Sequence, residues 1–130
     1  MMARCLWVCL VMTLFGLLAC APADAISPAQ GWVEAIGRGE TQTARSFYYE
    51  KALPDNATRW EQNMREALTG ADAPTYEVAN SFDPERAEVQ VQIRAPNNNQ
   101  RWIVFVQRRP EDRSWYIATF RRYFERANLQ

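Results

Sequence analysis

The side chains able to do chemistry in this 130-residue chain are few in kind. There is no histidine, which excludes imidazole-held metals and histidine-dependent triads. One lysine, Lys51, stands beside fourteen arginines, so a Schiff-base enzyme would depend on that single amine. The cysteines are Cys5, Cys9 and Cys20; a chain cut before Cys20 keeps one of them and forms no internal disulfide. A carboxylate paired with a tyrosine hydroxyl is the remaining route to acid–base chemistry. Tyr48, Tyr49, Tyr76 and Tyr116 are the available hydroxyls. The acids offer little: Glu77 and Glu88 take the polar parity of strands, and Asp55 and Asp72 fall at helix boundaries, where capping accounts for them. No acid is read as interrupting an apolar face. The expectation is a non-catalytic protein with no cofactor and no metal.

Recognition is the alternative to catalysis, and two residue sets could supply it. The first is aromatic: Trp32, Phe47, Tyr48, Trp60, Trp102 and Trp115. These either bury helices against a sheet or line a cavity for a small apolar ligand. The second is Arg94, Arg101, Arg108, Arg109, Arg121 and Arg122, whose forked, permanent charges suit carboxylate or phosphate. They would contact an anion or a protein partner, or form a solvated rim. Net charge is zero overall but uneven, with a balance of −6 from Ala21 to Glu85 and +5 from Arg86 to the end. A nucleic-acid partner is not expected, because such domains are clearly basic.

Helices must position the first half. Ser27-Pro28-Ala29-Gln30 reads as a helix start, with Ser as N-cap and Pro in the first position. Trp32, Val33 and Ile36 share its apolar face, and Gly37 and Gly39 end it. Thr41 or Thr43 caps a second helix predicted to run to about Leu53, where Pro54 stops it. A third follows Asp55-Asn56, with Trp60, Met64, Ala67 and Leu68 on one face and Gly70 just past its end.

After Pro74 the period falls to two. Tyr76, Val78 and Phe82 alternate with polar neighbours, although Asn80 falls on the apolar parity. Val89, Val91 and Ile93 alternate cleanly. Trp102 to Val106 is apolar on both parities, which predicts cover on both faces, and Trp115 to Phe120 is mixed. Four strands joined by short turns predict an antiparallel meander, and three helices before it make the class α+β, with the helices on one face of a curved sheet.

The first twenty residues read differently. A short basic stretch ending at Arg4 precedes Cys5 to Ala19, which is apolar except for Thr13 and Gly16. Fifteen helical residues reach about 22 Å, short of a bilayer core of roughly 30 Å, so a secretory segment is favoured over a permanent span. Leu17-Leu18-Ala19-Cys20 resembles the lipobox of bacterial lipoproteins. The resemblance implies cleavage before Cys20, a diacylglyceryl thioether on its sulfur and an acylated amine. Several acyl chains anchor stably where one does not. Ala21, in place of the Asp that retains such proteins at the inner membrane, implies an outer-membrane location facing the periplasm. The expected organisation is a signal peptide at 1–19, a tether at 20–27 and an α+β domain at 28–130, with the membrane as one partner and an envelope protein or a small apolar ligand as another.

Two stretches carry a second resemblance. Val33-Glu34-Ala35-Ile36-Gly37-Arg38-Gly39-Glu40 is similar to the end of the first helix in the nuclear transport factor 2-like superfamily. Asp112-Arg113-Ser114-Trp115-Tyr116-Ile117 is similar to its last-strand start. Over about 27–124 this implies a cone-like arrangement of helices on the sheet. That superfamily holds isomerases, dehydratases and cyclases as well as binding and assembly proteins, so the resemblance does not select an activity. Its enzymes imply the alternative here: a carboxylate and a tyrosine working together inside the cone.

Overall fold

The computed structural model describes residues 23–49, 53–96 and 98–124. The lipobox and Cys20 lie outside them. A short 3₁₀ turn at Ala23–Ala25 runs directly into helix α1, Ile26–Gly37. The helix therefore starts ahead of the Ser27 cap that the sequence suggests. Ala25 is already in the right-handed helical region and is fully buried. Ser27 is left exposed and caps nothing. Pro28 is still tolerated, because its missing N–H belongs to the first turn, where no helical carbonyl faces it. Ala29, Trp32, Val33 and Ile36 form the buried stripe.

Gly39, at φ +71°, turns the chain into α2. This helix spans only Thr41–Arg45, far short of the expected run to Leu53. The chain leaves the helix because Phe47 and Tyr48 are drawn onto the sheet. The Ile117 N–H donates to the Phe47 carbonyl at 2.8 Å, and Tyr48 forms a parallel bridge with Ile117. A tertiary contact along an edge strand has overridden local helical spacing. Helix α3, Ala57–Leu68, carries the expected apolar face, and Gly70 follows it at φ +77°.

Strands β1 (Thr75–Asp83), β2 (Arg86–Ile93), β3 (Gln100–Arg108) and β4 (Trp115–Tyr123) form one antiparallel sheet in sequence order. The meander is as expected, but the sheet is open, with β1 and β4 as its two edges. A register shift after Val78 explains Asn80: the extra residue turns its amide outward, where it donates to Glu88 at 2.9 Å. A second shift, opposite Phe105 and Val106, lets Ile117 and Phe120 both be buried.

Helix α1 lies across all four strands and supplies the centre of the core. Ile103 is buried although it alternates away from the inward-facing Trp102 and Val104. Gln90 and Arg121 are its partners in the two neighbouring strands, and their long side chains flank it.

Candidate functional site

The six aromatic candidates divide by depth. Trp32, Tyr48 and Trp102 are fully buried, whereas Phe47, Trp60 and Trp115 are half-buried. Phe120 joins the deep three: its ring centroid lies 4.5 Å from Trp32, 6.1 Å from Trp102 and 6.4 Å from Tyr48. Trp60 meets Trp102 edge-on at 5.9 Å. These spacings are those of packed rings. The deep aromatics fill the interior between α1 and the sheet, so a ligand would have to displace Phe120 to lie among them.

A polar relay runs through this apolar packing. The Trp32 indole N–H donates to the Tyr48 hydroxyl at 3.0 Å, and that hydroxyl donates to a carboxylate oxygen of Glu61. Burial, then the Glu61 hydrogen bond and charge, push the Tyr48 pKa far up; the Trp32 hydrogen bond and the Arg45 charge oppose this. Glu61 is only 9% exposed. It corrects the reading that no acid interrupts an apolar face. Ala57, Glu61, Met64 and Leu68 follow the 4-3-4 spacing of one helical face, and that spacing was the signal that could have found it.

The six arginines separate into three places. Arg94, Arg101 and Arg122 converge at one end of the sheet, where β2 ends, β3 begins and β4 ends. They line a groove of about 450 Å³ with Gln100, Tyr123 and Phe124. Arg101 lies 5.3 Å from the Tyr123 ring centroid and Arg122 lies 5.1 Å from that of Phe124. Arg122 donates to the Asn63 amide oxygen at 3.3 Å, and Arg94 reaches the Gln92 amide oxygen at 3.5 Å. Gln100 is buried and braces the floor. It donates to Asn63 and Asn98 at 3.2 Å each and accepts from the Trp102 indole N–H at 2.9 Å. No carboxylate lines this groove among the described residues.

Arg108 and Arg109 lie at the opposite end, beside Arg113, Trp115, Phe47, Asp24 and Ser27, in a groove of about 480 Å³. Here the guanidinium groups are occupied by the protein itself. Arg108 donates to the Pro84 and Arg113 carbonyls at 3.2 and 2.8 Å and stacks 4.3 Å from the Trp115 ring centroid. Arg109 donates to the Ser114 hydroxyl at 3.0 Å. Arg113 makes a two-pronged pair with Glu85. Arg121 belongs to neither end; it lies on the outer face, 5.9 Å from the Phe105 ring centroid.

Among the described residues, no helix is long and apolar enough to cross a membrane and no group of three or more Cys, Asp or Glu side chains is arranged to hold a metal ion. No family model matches the sequence, and no curated protein matches it.

Proposed function

We propose that this chain is a lipid-anchored bacterial envelope protein that does not catalyse a reaction but docks an acidic segment of a protein partner in the Arg94–Arg101–Arg122 groove. The observation that carries the reading is the convergence of three arginines from separate strands on one groove without a lining carboxylate. Exposed apolar surface adjoins them: Tyr123 is 43% and Phe124 63% exposed. Arginine beside exposed aromatics is the composition of protein-binding hot spots.

The anchor gives the groove a direction. Three residues separate Cys20 from Ala23, a reach of roughly 11 Å at full extension. Asp24 and Ser27 border the Arg108–Arg109 groove, so lipidation at Cys20 sets that end toward the bilayer. The Arg94 groove then lies about 23 Å away along β3, facing out from the membrane toward a partner. The lipobox and the nuclear transport factor 2-like resemblance both belong to this reading.

The alternative, an isomerase-like or dehydratase-like enzyme, has a carboxylate–tyrosine pair available in Glu61 and Tyr48. Binding is favoured over it because the Tyr48 hydroxyl already donates to Glu61 and accepts from Trp32, and packed rings occupy the space around it.

Mass spectrometry of the membrane fraction tests the anchor: a triacylated fragment beginning at Cys20 is expected, and a mature chain beginning at Ala21 or later would overturn it. Charge reversal at Arg94 and Arg122 is expected to release the partner from the lipidated protein in detergent micelles. Retention of the partner by that variant would remove the groove from the account.

A further inference from the structure

A second site lies away from both grooves, where the turn between α1 and α2 meets α3. Glu61, Arg45 and Arg65 all border a cleft of about 90 Å³ there. The Glu61 carboxylate is buried, and one of its oxygens accepts from Tyr48. No arginine forms an ion pair with it among the described residues. A buried carboxylate held by one neutral donor is costly without a second partner. The Arg45 Nε–H, bordering the same space, is buried and donates to nothing. The cleft thus holds an under-satisfied acceptor and an unsatisfied donor, separated by room for a small molecule.

Arg65 is held at the rim by the backbone. Gly39 has φ +71°, and a Cβ there would come within 2.7 Å of the Arg65 guanidinium. The absence of a side chain at Gly39 is what lets the guanidinium lie over the turn. The cleft volume corresponds to about three waters, enough for glycine or alanine and too little for a sugar or a peptide.

We infer that this cleft binds a small α-amino-acid zwitterion, its ammonium against Glu61 and its carboxylate against Arg45 and Arg65. Each half of such a molecule supplies what one side of the cleft lacks. A simple anion would leave Glu61 facing a like charge, and a simple cation would leave the Arg45 donor unmet. The inference is independent of the Arg94 groove.

Calorimetric titration of the full lipidated protein in neutral detergent micelles tests it, using glycine, L-alanine, acetate and methylammonium. Saturable binding of glycine or alanine is expected, with acetate and methylammonium each weaker by about tenfold or more, the loss of one charge-assisted contact. Arg65→Ala changes an exposed residue and should weaken glycine binding by about tenfold while leaving hexaglutamate binding at the Arg94 groove intact. Glu61→Gln should shift the preference toward acetate; if that variant does not fold, the comparison of whole and half ligands on the native protein decides. The inference is overturned if neither glycine nor alanine binds saturably, if acetate binds as well as glycine, or if Arg65→Ala leaves glycine binding unchanged.

Discussion

The two ends of the sheet use the same residues to different effect. Each sets arginines beside aromatic rings in a groove of similar volume. At the Arg108–Arg109 end the guanidinium groups are spent on the protein's own turns: Arg113 on Glu85, Arg108 on two carbonyls, Arg109 on Ser114. At the Arg94 end, Arg94 and Arg122 meet only amide oxygens at 3.3–3.5 Å. Counting basic residues does not distinguish the ends, whereas asking what each guanidinium already touches does. A cation satisfied by a turn fixes the turn, and one resting on a neutral amide retains most of its attraction for an incoming carboxylate.

Substitutions can test that contrast against the shared scaffold. The largest effect is expected from the core on which both ends rest. Trp102→Ala removes a fully buried ring and should cost about 3–5 kcal/mol in chemical denaturation. It should also weaken the Arg94 end in particular, because the Trp102 indole N–H holds Gln100 in the groove floor. Tyr48→Phe leaves Glu61 and the Trp32 N–H without their partner and should cost about 1–3 kcal/mol, leaving both grooves intact.

Alkaline pH should act on the core before it acts on the grooves. Burial, assisted by the Glu34 charge, pushes the Tyr76 hydroxyl up to about 12 from 10.0. A raised folded-state pKa contributes stability that is complete below pH 10 and is lost as pH rises through 12. Denaturation midpoints should therefore fall across that window, and Tyr76→Phe should flatten the fall.

Smaller effects separate the ends directly. Arg94→Ala and Arg122→Ala should each weaken hexaglutamate binding by about 1 kcal/mol, roughly fivefold, in isothermal titration. Arg109→Ala should leave that binding unchanged and register only in the local order of the turn before β4. Equal losses at both ends would erase the distinction.

Much of the architecture was legible in the sequence, because period-two strands and punctuating Pro and Gly residues report local preference faithfully. What escaped was set by distant partners. The second helix stops at Arg45 because Phe47 and Tyr48 bond to β4, which no local spacing announces. Asn80 broke the alternation, and its reason is a register shift visible only with β2 alongside. Glu61 was passed over as one acid among fifteen, though its place on the apolar face of α3 was readable. The arginines were named correctly as a class, but their division between two sheet ends depends on strand register.

The most direct test of the docking groove is a nuclear magnetic resonance titration. It follows the arginine Nε–Hε signals of the lipidated protein in neutral micelles as hexaglutamate is added. Saturable shifts at Arg94 and Arg122, with Arg108 and Arg109 still, are the predicted result. No saturable shift, or equal shifts at both ends, would contradict it.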